Sequence, residues 1–172
     1  MAVEPRHTIA FEMQPQLLTK QLGADLYPSP GDALCQLIAN CLDADSSRVE
    51  ITVGRNELGA PTTLALVDDG CGISLRDLQE SFRLVGTHVQ LREPRRETIG
   101  SRGIGRFAVF ALAAQSDWDT VALEDGSVKA RHQWTVRDGS LRFEVRPEPA
   151  EGLPTGTTVR VGLKQTEGIA RL

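Results

Sequence analysis

Cysteine is sparse in this chain: among 172 residues there are three, Cys35, Cys41 and Cys71. An odd count, with two of the three on the apolar side or edge of one segment, fits reduced core thiols better than a disulfide framework. No Cys/His spacing matches a zinc site, and His7, His88 and His132 are scattered, with no sequence neighbour that suggests catalysis. Long apolar runs are missing too. None approaches the roughly 20 residues of a membrane span, and the N-terminus has no apolar signal core behind a basic start; a cytoplasmic protein is expected. The chain lacks an excess of positive charge: its formal net charge is -4, which does not advertise nucleic-acid binding. Repeats and low-complexity runs are absent. What remains, 40% hydrophobic and 24% charged, is the composition of a globular protein, long enough for one domain with a sizeable core.

The chain is organised around Cys35-Gln-Leu-Ile-Ala-Asn-Cys-Leu-Asp-Ala44. Helix residues turn by about 100° each, so Leu34, Leu37, Ile38, Cys41 and Leu42 form one apolar face. Asp32, Gln36, Asn40 and Asp43 share the opposite face. Taken alone, this is an amphipathic helix whose polar side meets water. Ser29 or Asp32 is placed to cap it.

Around that helix, His7–Glu12 reads as a short strand, and the leucines at 17, 18, 22 and 26 predict a helix over 15–26. Alternation predicts strands at Arg48–Gly54 and Thr62–Val67. Leu75–Leu84 reads as a short helix, 85–100 as a polar, charged, mobile loop, and Arg106–Ala114 as an apolar helix. Strands follow at Trp118–Leu123, Val128–Val136, Leu141–Val145 and Thr157–Leu163, with a loop at Pro147–Pro154. Helices first and an antiparallel meander later predict an α+β two-layer sandwich, its mixed, mostly antiparallel sheet covered by helices on one face.

Two glycine groups carry the chemistry. Asp68-x-Gly70-x-Gly72 follows a strand; its glycines permit a tight backbone path and close ligand approach. A buried carboxylate before them needs a donor partner, for which an exocyclic amine such as adenine's would serve. By itself this motif is more often a glycine-rich turn with a solvated aspartate. Gly100-x-x-Gly103-x-Gly105 precedes a helix, where free N–H groups, with Arg102 and Arg106 alongside, suit a polyphosphate. It is not a P-loop, because Arg106-Phe107 stands where Lys-Ser/Thr is required. It is not a dinucleotide fingerprint either, because a charged loop rather than a strand precedes it.

Order and spacing say more than either motif. Gln36-x-x-x-Asn40-x-x-Asp43-Ala44, strand–Asp68-x-Gly70-x-Gly72, a charged loop, Gly100-x-x-Gly103-x-Gly105 and Gly156-Thr157-x-Val159 together resemble the ATP-binding domain of the GHKL superfamily: DNA gyrase, heat-shock chaperone ATPases, sensor histidine kinases and MutL. The likeness runs from about Pro15 to Lys164, and Ile99–Ala108 is similar to bacterial chaperone-like ATPases. It implies ATP or ADP with Mg²⁺ as ligands. Asn40 would coordinate Mg²⁺, and Asp43 would lie near the nucleotide. Asp68 would accept from the adenine amine, supported by Thr157, with Gly70, Gly72 and Ile73 around the base. Gly100, Arg102, Gly103, Ile104, Gly105 and Arg106 would wrap the phosphates under a lid at 85–100 that excludes water.

Three departures from the resemblance matter. Chaperone and MutL relatives carry a general-base Glu where this chain has Gln36. A carboxamide orients water but cannot deprotonate it, and a general base contributes about 10²–10⁴-fold, so slow hydrolysis is expected. Asp32, one turn earlier, is better placed as a cap than as a substitute base. The lid Ser-x-Lys of many relatives is Thr87-His88-Val89 here, leaving Arg92, Arg95, Arg96 or Arg102 to face phosphate. The chain also ends where relatives have a further domain with a catalytic lysine, so it is expected to be a single nucleotide-binding domain, the N-terminal part of a longer protein, that dimerises or docks a partner. The alternatives are a non-catalytic nucleotide-binding module and, third, a histidine-kinase catalytic domain. The phospho-acceptor helix pair that usually precedes the last is absent.

Overall fold

The sequence Ser29-Pro-Gly-Asp32 fixes the start of helix α1, Pro30–Asp43. Ser29 Oγ accepts from Asp32 N at 3.2 Å and Asp32 Oδ2 accepts from Ser29 N at 3.1 Å. This reciprocal capping box is joined by Pro30 at a position that needs no N–H. The Asp32 carboxylate is committed to the cap. The computed structural model describes residues 7–10, 12–13, 26–85, 104–124, 126, 128–137 and 142–164; the helix expected over 15–26 lies almost wholly outside them. In α1, Leu34, Leu37 and Cys41 are buried and Ile38 and Leu42 half-buried, as the apolar stripe predicts. Cys35 and Cys71 are exposed, so of the three expected core thiols only Cys41 is one. Cys35 sits one 100° step past Leu34, off the stripe.

The strands are β1 (His7–Ala10), β2 (Glu12–Met13), β3 (Val49–Arg55), β4 (Pro61–Asp68), β5 (Leu84–Val85), β6 (Gln115–Glu124), β7 (Val128–Arg137), β8 (Arg142–Pro149) and β9 (Gly156–Gly162). Seven of them form one sheet, ordered β1-β8-β7-β6-β9-β4-β3, and every neighbouring pair is antiparallel. Parallel pairing is confined to the separate β2–β5 ribbon. Short helical segments lie over the same sheet face as α1: α2 (Leu75–Asp77) with a π-turn at Leu78–Phe82, and a 3₁₀ turn at Gly105–Ala108 leading into α3 (Val109–Leu112). The core lies between these layers, with Leu34, Leu37, Leu78, Phe107 and Leu112 packed with Leu64, Leu66, Val145, Val159 and Val161. Each such burial stabilises by about 1.5–3 kcal/mol. This is the α+β two-layer sandwich expected. No helix among the described residues is long and apolar enough to cross a membrane.

Four aromatics concentrate at one point of the core. Trp118 and Trp134 stack across β6 and β7 with centroids 5.6 Å apart, Phe82 meets both edge-on, and Phe143 stacks on Trp134 at 6.0 Å. Such pairs contribute about 0.5–1.5 kcal/mol each beyond their area. The expected helix Leu75–Leu84 is not a plain one: it ends in a π-turn, in which Arg83 N donates to Leu78 O at 3.3 Å, with Leu78 and Phe82 both buried. The expected helix Arg106–Ala114 ends at Leu112, because Ala113 is already extended. The expected loop at Pro147–Pro154 begins only at Ala150. Pro147 and Pro149 are tolerated in β8 because β1 pairs only with Arg142–Val145, which leaves this half of β8 an edge.

Candidate functional site

Two separate pieces of chain meet α1, one at Gly105 and one running from Asp68 through the glycine turn. The glycine turn after β4 docks on its C-terminal end, where Cys71 N donates to Ala44 O at 2.9 Å. A Cβ on Gly70 would lie 2.6 Å from that carbonyl oxygen, so only glycine fits. Gly105 closes on the middle of the helix. A Cβ there would stand 2.6 Å from Asn40 Oδ1 and 2.7 Å from Gln36 Nε2. The carboxamide stripe therefore faces the end of the glycine-rich loop rather than open water, and Gln36, Asn40 and Asp43 are all half-buried. Just before the glycine turn stands Asp68, the last residue of β4.

Asp68 belongs to a polar row that crosses the sheet. Register aligns Asp68 with Thr157, Thr157 with Thr120, and Thr120 with His132 on four adjacent strands. All four are buried: 8%, 7%, 1% and 1% exposed. The rung beside it is apolar throughout: Leu66, Val159, Trp118 and Trp134. Asp68 Oδ1 accepts from Gly70 N at 2.8 Å. Burial raises its pKa, against the opposing pull of hydrogen bonds from Gly70 N, the Cys41 thiol and Thr157 N. The Cys41 thiol lies between that carboxylate and the Leu37 carbonyl, 3.3 Å away. Burial and then the Asp68 charge push its pKa far up, so it stays a protonated, inert thiol. Asp69, one residue on, faces outward and accepts from Ser47 N at 2.7 Å, Ser47 Oγ at 2.5 Å and Arg48 N at 2.8 Å. Those donors lower its pKa.

Sequence reasoning missed Thr120, His132 and Glu124. Ile73 N donates to Thr120 Oγ1 at 2.9 Å, and Leu75 N donates to Glu124 Oε1 at 3.0 Å. His132 Nε2 meets the same Glu124 oxygen at 2.7 Å. The chain leaving Gly72 is thus pinned to β6 at two points. The available signal was a threonine at an inward position of an alternating strand, with Trp118 and Ala122 on either side of it. Gly72 itself, at φ 70°, has its open side against the Val121 carbonyl, which a Cβ would approach to 2.1 Å. Its glycine is demanded by the fold.

Other predicted residues fall elsewhere. Ile104 is 8% exposed, its side chain in the core. Arg106 reaches into an aromatic cleft, its guanidinium 4.9 Å from the Phe82 ring centroid and 5.0 Å from that of Phe107. It donates to the Leu84 carbonyl, and its buried Nε has no partner among the described residues. Desolvation pushes its pKa down to about 9, so it stays charged at neutral pH. No hydrogen bond joins it to the α1 stripe among the described residues. Gly100, Arg102 and Gly103, the lid arginines and Thr87-His88-Val89 lie outside the described residues. A cavity of about 720 Å³ opens on the other sheet face, lined by Asp119, Gln133, Arg142 and Arg160 among others, and contains none of the predicted site residues.

Comparison with known proteins agrees with this geometry. The chain is 29% identical over 149 residues to the DNA mismatch repair protein MutL of Mannheimia succiniciproducens, covering 87% of this chain and 22% of that protein. It is 31% identical over 145 residues to MutL of Azotobacter vinelandii, covering 84% of this chain and 22% of that protein. The chain thus spans less than a quarter of the length of these relatives. Residues 28–146, which hold α1, the Asp68 turn, Gly105 and the Thr120 strand, match the family described as histidine kinase-, DNA gyrase B-, and HSP90-like ATPase, and the chain belongs to that family.

Proposed function

We propose that this chain is the Mg-ATP-binding domain of a GHKL-type ATPase, working as a nucleotide-dependent switch with slow hydrolysis. The observation that carries the reading is the convergence on α1, with Gln36 and Asn40 against Gly105 and the Asp68 turn on the same helix one turn later. Asn40 offers a hard amide oxygen beside a backbone with no Cβ, which suits Mg²⁺. Among the described residues no three His, Cys, Asp or Glu side chains could hold a metal. Asn40 is the residue that would hold the ion together with the nucleotide, and the ion would supply charge neutralisation there. Asp43 lies near the nucleotide on the same helix face. Asp68, with Thr157 beside it, accepts from the adenine amine, and Gly105 borders the phosphates; the same role for Gly100 and Gly103 falls outside the described residues. Arg106, held by Phe82, Phe107 and Leu84, serves this site indirectly by fixing its neighbour Gly105 against α1.

Gln36 can orient a water molecule but offers no basic carboxylate. That feature favours a second reading, a module that signals by occupancy alone. Titration with ATP and Mg²⁺ by calorimetry, with phosphate release followed in parallel, tests both. Binding that weakens at least about tenfold in Asn40→Ala supports the site, on the scale of one charge-assisted contact. Absence of ATP and ADP binding by the wild type defeats it. Binding without measurable phosphate release selects the module. Homodimerisation or partner docking on nucleotide binding is checked by light scattering with a non-hydrolysable ATP analogue.

A further inference from the structure

Thr120 makes three polar contacts, though it is 1% exposed. Ile73 N donates to its Oγ1 at 2.9 Å, the Gly156 carbonyl lies 3.0 Å away, and Thr157 Oγ1 lies 3.0 Å away. A hydroxyl has one proton and two lone pairs. The Gly156 carbonyl can only accept, so it takes the Thr120 proton. The Ile73 N–H can only donate, so it occupies one lone pair. The contact between the two hydroxyls is then settled: Thr157 donates and Thr120 accepts. With its proton spent, Thr157 has only lone pairs left for a ligand. Its neighbour in the row, Asp68, is an acceptor as well when ionised.

We propose that Thr120 is a specificity-determining residue: by fixing the direction of the Thr157 hydroxyl it makes the base site acceptor-only, so the site takes a purine with an amine at C6 and refuses a 6-oxo purine. This rests on the reading of Asp68 and Thr157 as the adenine site. A 6-oxo group would bring lone pairs against lone pairs, and a buried acceptor facing an acceptor loses its contact on both sides. Without the Thr120 hydroxyl, Thr157 regains a free proton and can donate to a 6-oxo oxygen. Discrimination then falls without any change in the residues that face the base.

The test is calorimetric titration of ATP and ITP, each with Mg²⁺, into wild type, Thr120→Val, Thr120→Ser and Ser116→Ala. Ser116 is equally buried on the same strand and accepts only from Trp118 Nε1, so its variant controls for lost stability. Preference for ATP over ITP is expected to fall about tenfold in Thr120→Val, on the scale of one hydrogen bond. Thr120→Ser, which keeps the hydroxyl, and Ser116→Ala should keep the wild-type ratio. An unchanged ratio in Thr120→Val with a lowered melting temperature overturns the proposal and leaves Thr120 merely structural. A wild type that binds neither nucleotide overturns the adenine-site reading and this proposal with it. If Thr120→Val lacks a cooperative unfolding transition, Thr120→Cys replaces it. A thiol is a poor acceptor for the Thr157 proton, so the ratio should again fall, and an unchanged ratio again overturns the proposal.

Discussion

Asp68→Asn separates binding from stability more sharply than any other single change. The substitution keeps size and leaves an oxygen to accept from Gly70 N, now 2.8 Å from Oδ1. It removes the charge and places an amide N–H₂ where an acceptor is needed. Hydrogen bonds to charged groups contribute about 1.5–3 kcal/mol, so adenine-nucleotide affinity should fall about 10- to 150-fold. The effect on stability should depend on pH. The folded-state pKa of Asp68 is raised by burial, so the fold favours its protonated form. That contribution is fully present below the unfolded pKa and lost as pH rises through the folded one. The asparagine N–H₂ faces the Cys41 and Thr157 N donors at every pH, whereas the cost of a buried charge falls on the wild type alone and grows as pH rises. The melting temperature of the variant relative to wild type should therefore rise from pH 4 to pH 7. Nucleotide affinity of the wild type should weaken as pH falls over the same range and the carboxylate protonates. Calorimetric titration and thermal unfolding across that range measure both. The reasoning fails if the variant binds ATP within twofold of wild type, or if it melts lower at pH 7 and higher at pH 4.

Gln36→Glu restores a carboxylate at the water-positioning site and should raise phosphate release about 10²–10⁴-fold with little change in ATP affinity; an unchanged rate would mean that position 36 does not face the attacking water. Gly105→Ala would place a Cβ 2.6 Å from Asn40 Oδ1 and 2.7 Å from Gln36 Nε2. Because the Gln36 amide can swing aside, calorimetry should report at least about tenfold weaker Mg-ATP binding while the melting temperature barely moves. Asp69→Ala removes three donors' partner at the turn between α1 and β3. The folded pKa of Asp69 is depressed, so its stabilising effect is present above the ordinary carboxylate pKa of about 3.9 and lost as pH falls through the folded value. The melting-temperature gap between wild type and this variant should accordingly shrink below pH 4, and a gap independent of pH would assign the effect to geometry alone.

The site was legible wherever local chemistry decides. Ser29-Pro-Gly-Asp32 specifies the start of α1, and period-two alternation through Leu64, Leu66 and Asp68 sends one aspartate inward and Asp69 outward. What the sequence hides depends on register between distant segments. Ile73 and Thr120 are 47 residues apart, and Thr120 and Thr157 are 37 apart, so nothing local aligns them. Arg106 reads locally as a phosphate ligand, yet packing gives it the ring faces of Phe82 and Phe107. Gly72 reads as room for a ligand, yet the Val121 carbonyl already takes its open side.

The polar row and its neighbour make the general point in physical terms. Two adjacent rungs of one sheet cross the same four strands. One is Leu66, Val159, Trp118 and Trp134; the other is Asp68, Thr157, Thr120 and His132. Both are buried, so both lie in a medium where an unmet polar group costs about 1–3 kcal/mol. For stability alone the second rung would be better filled like the first, since buried polar groups rarely outperform apolar ones of similar volume. It also falls at the end of β4, where the chain turns through Gly70 and Gly72 onto the C-terminal end of α1. A row that opposes packing at the one place where strand, glycine turn and helix meet is what a site for a polar ligand requires. Under the proposed function, local rules fail here because the position would serve binding rather than folding.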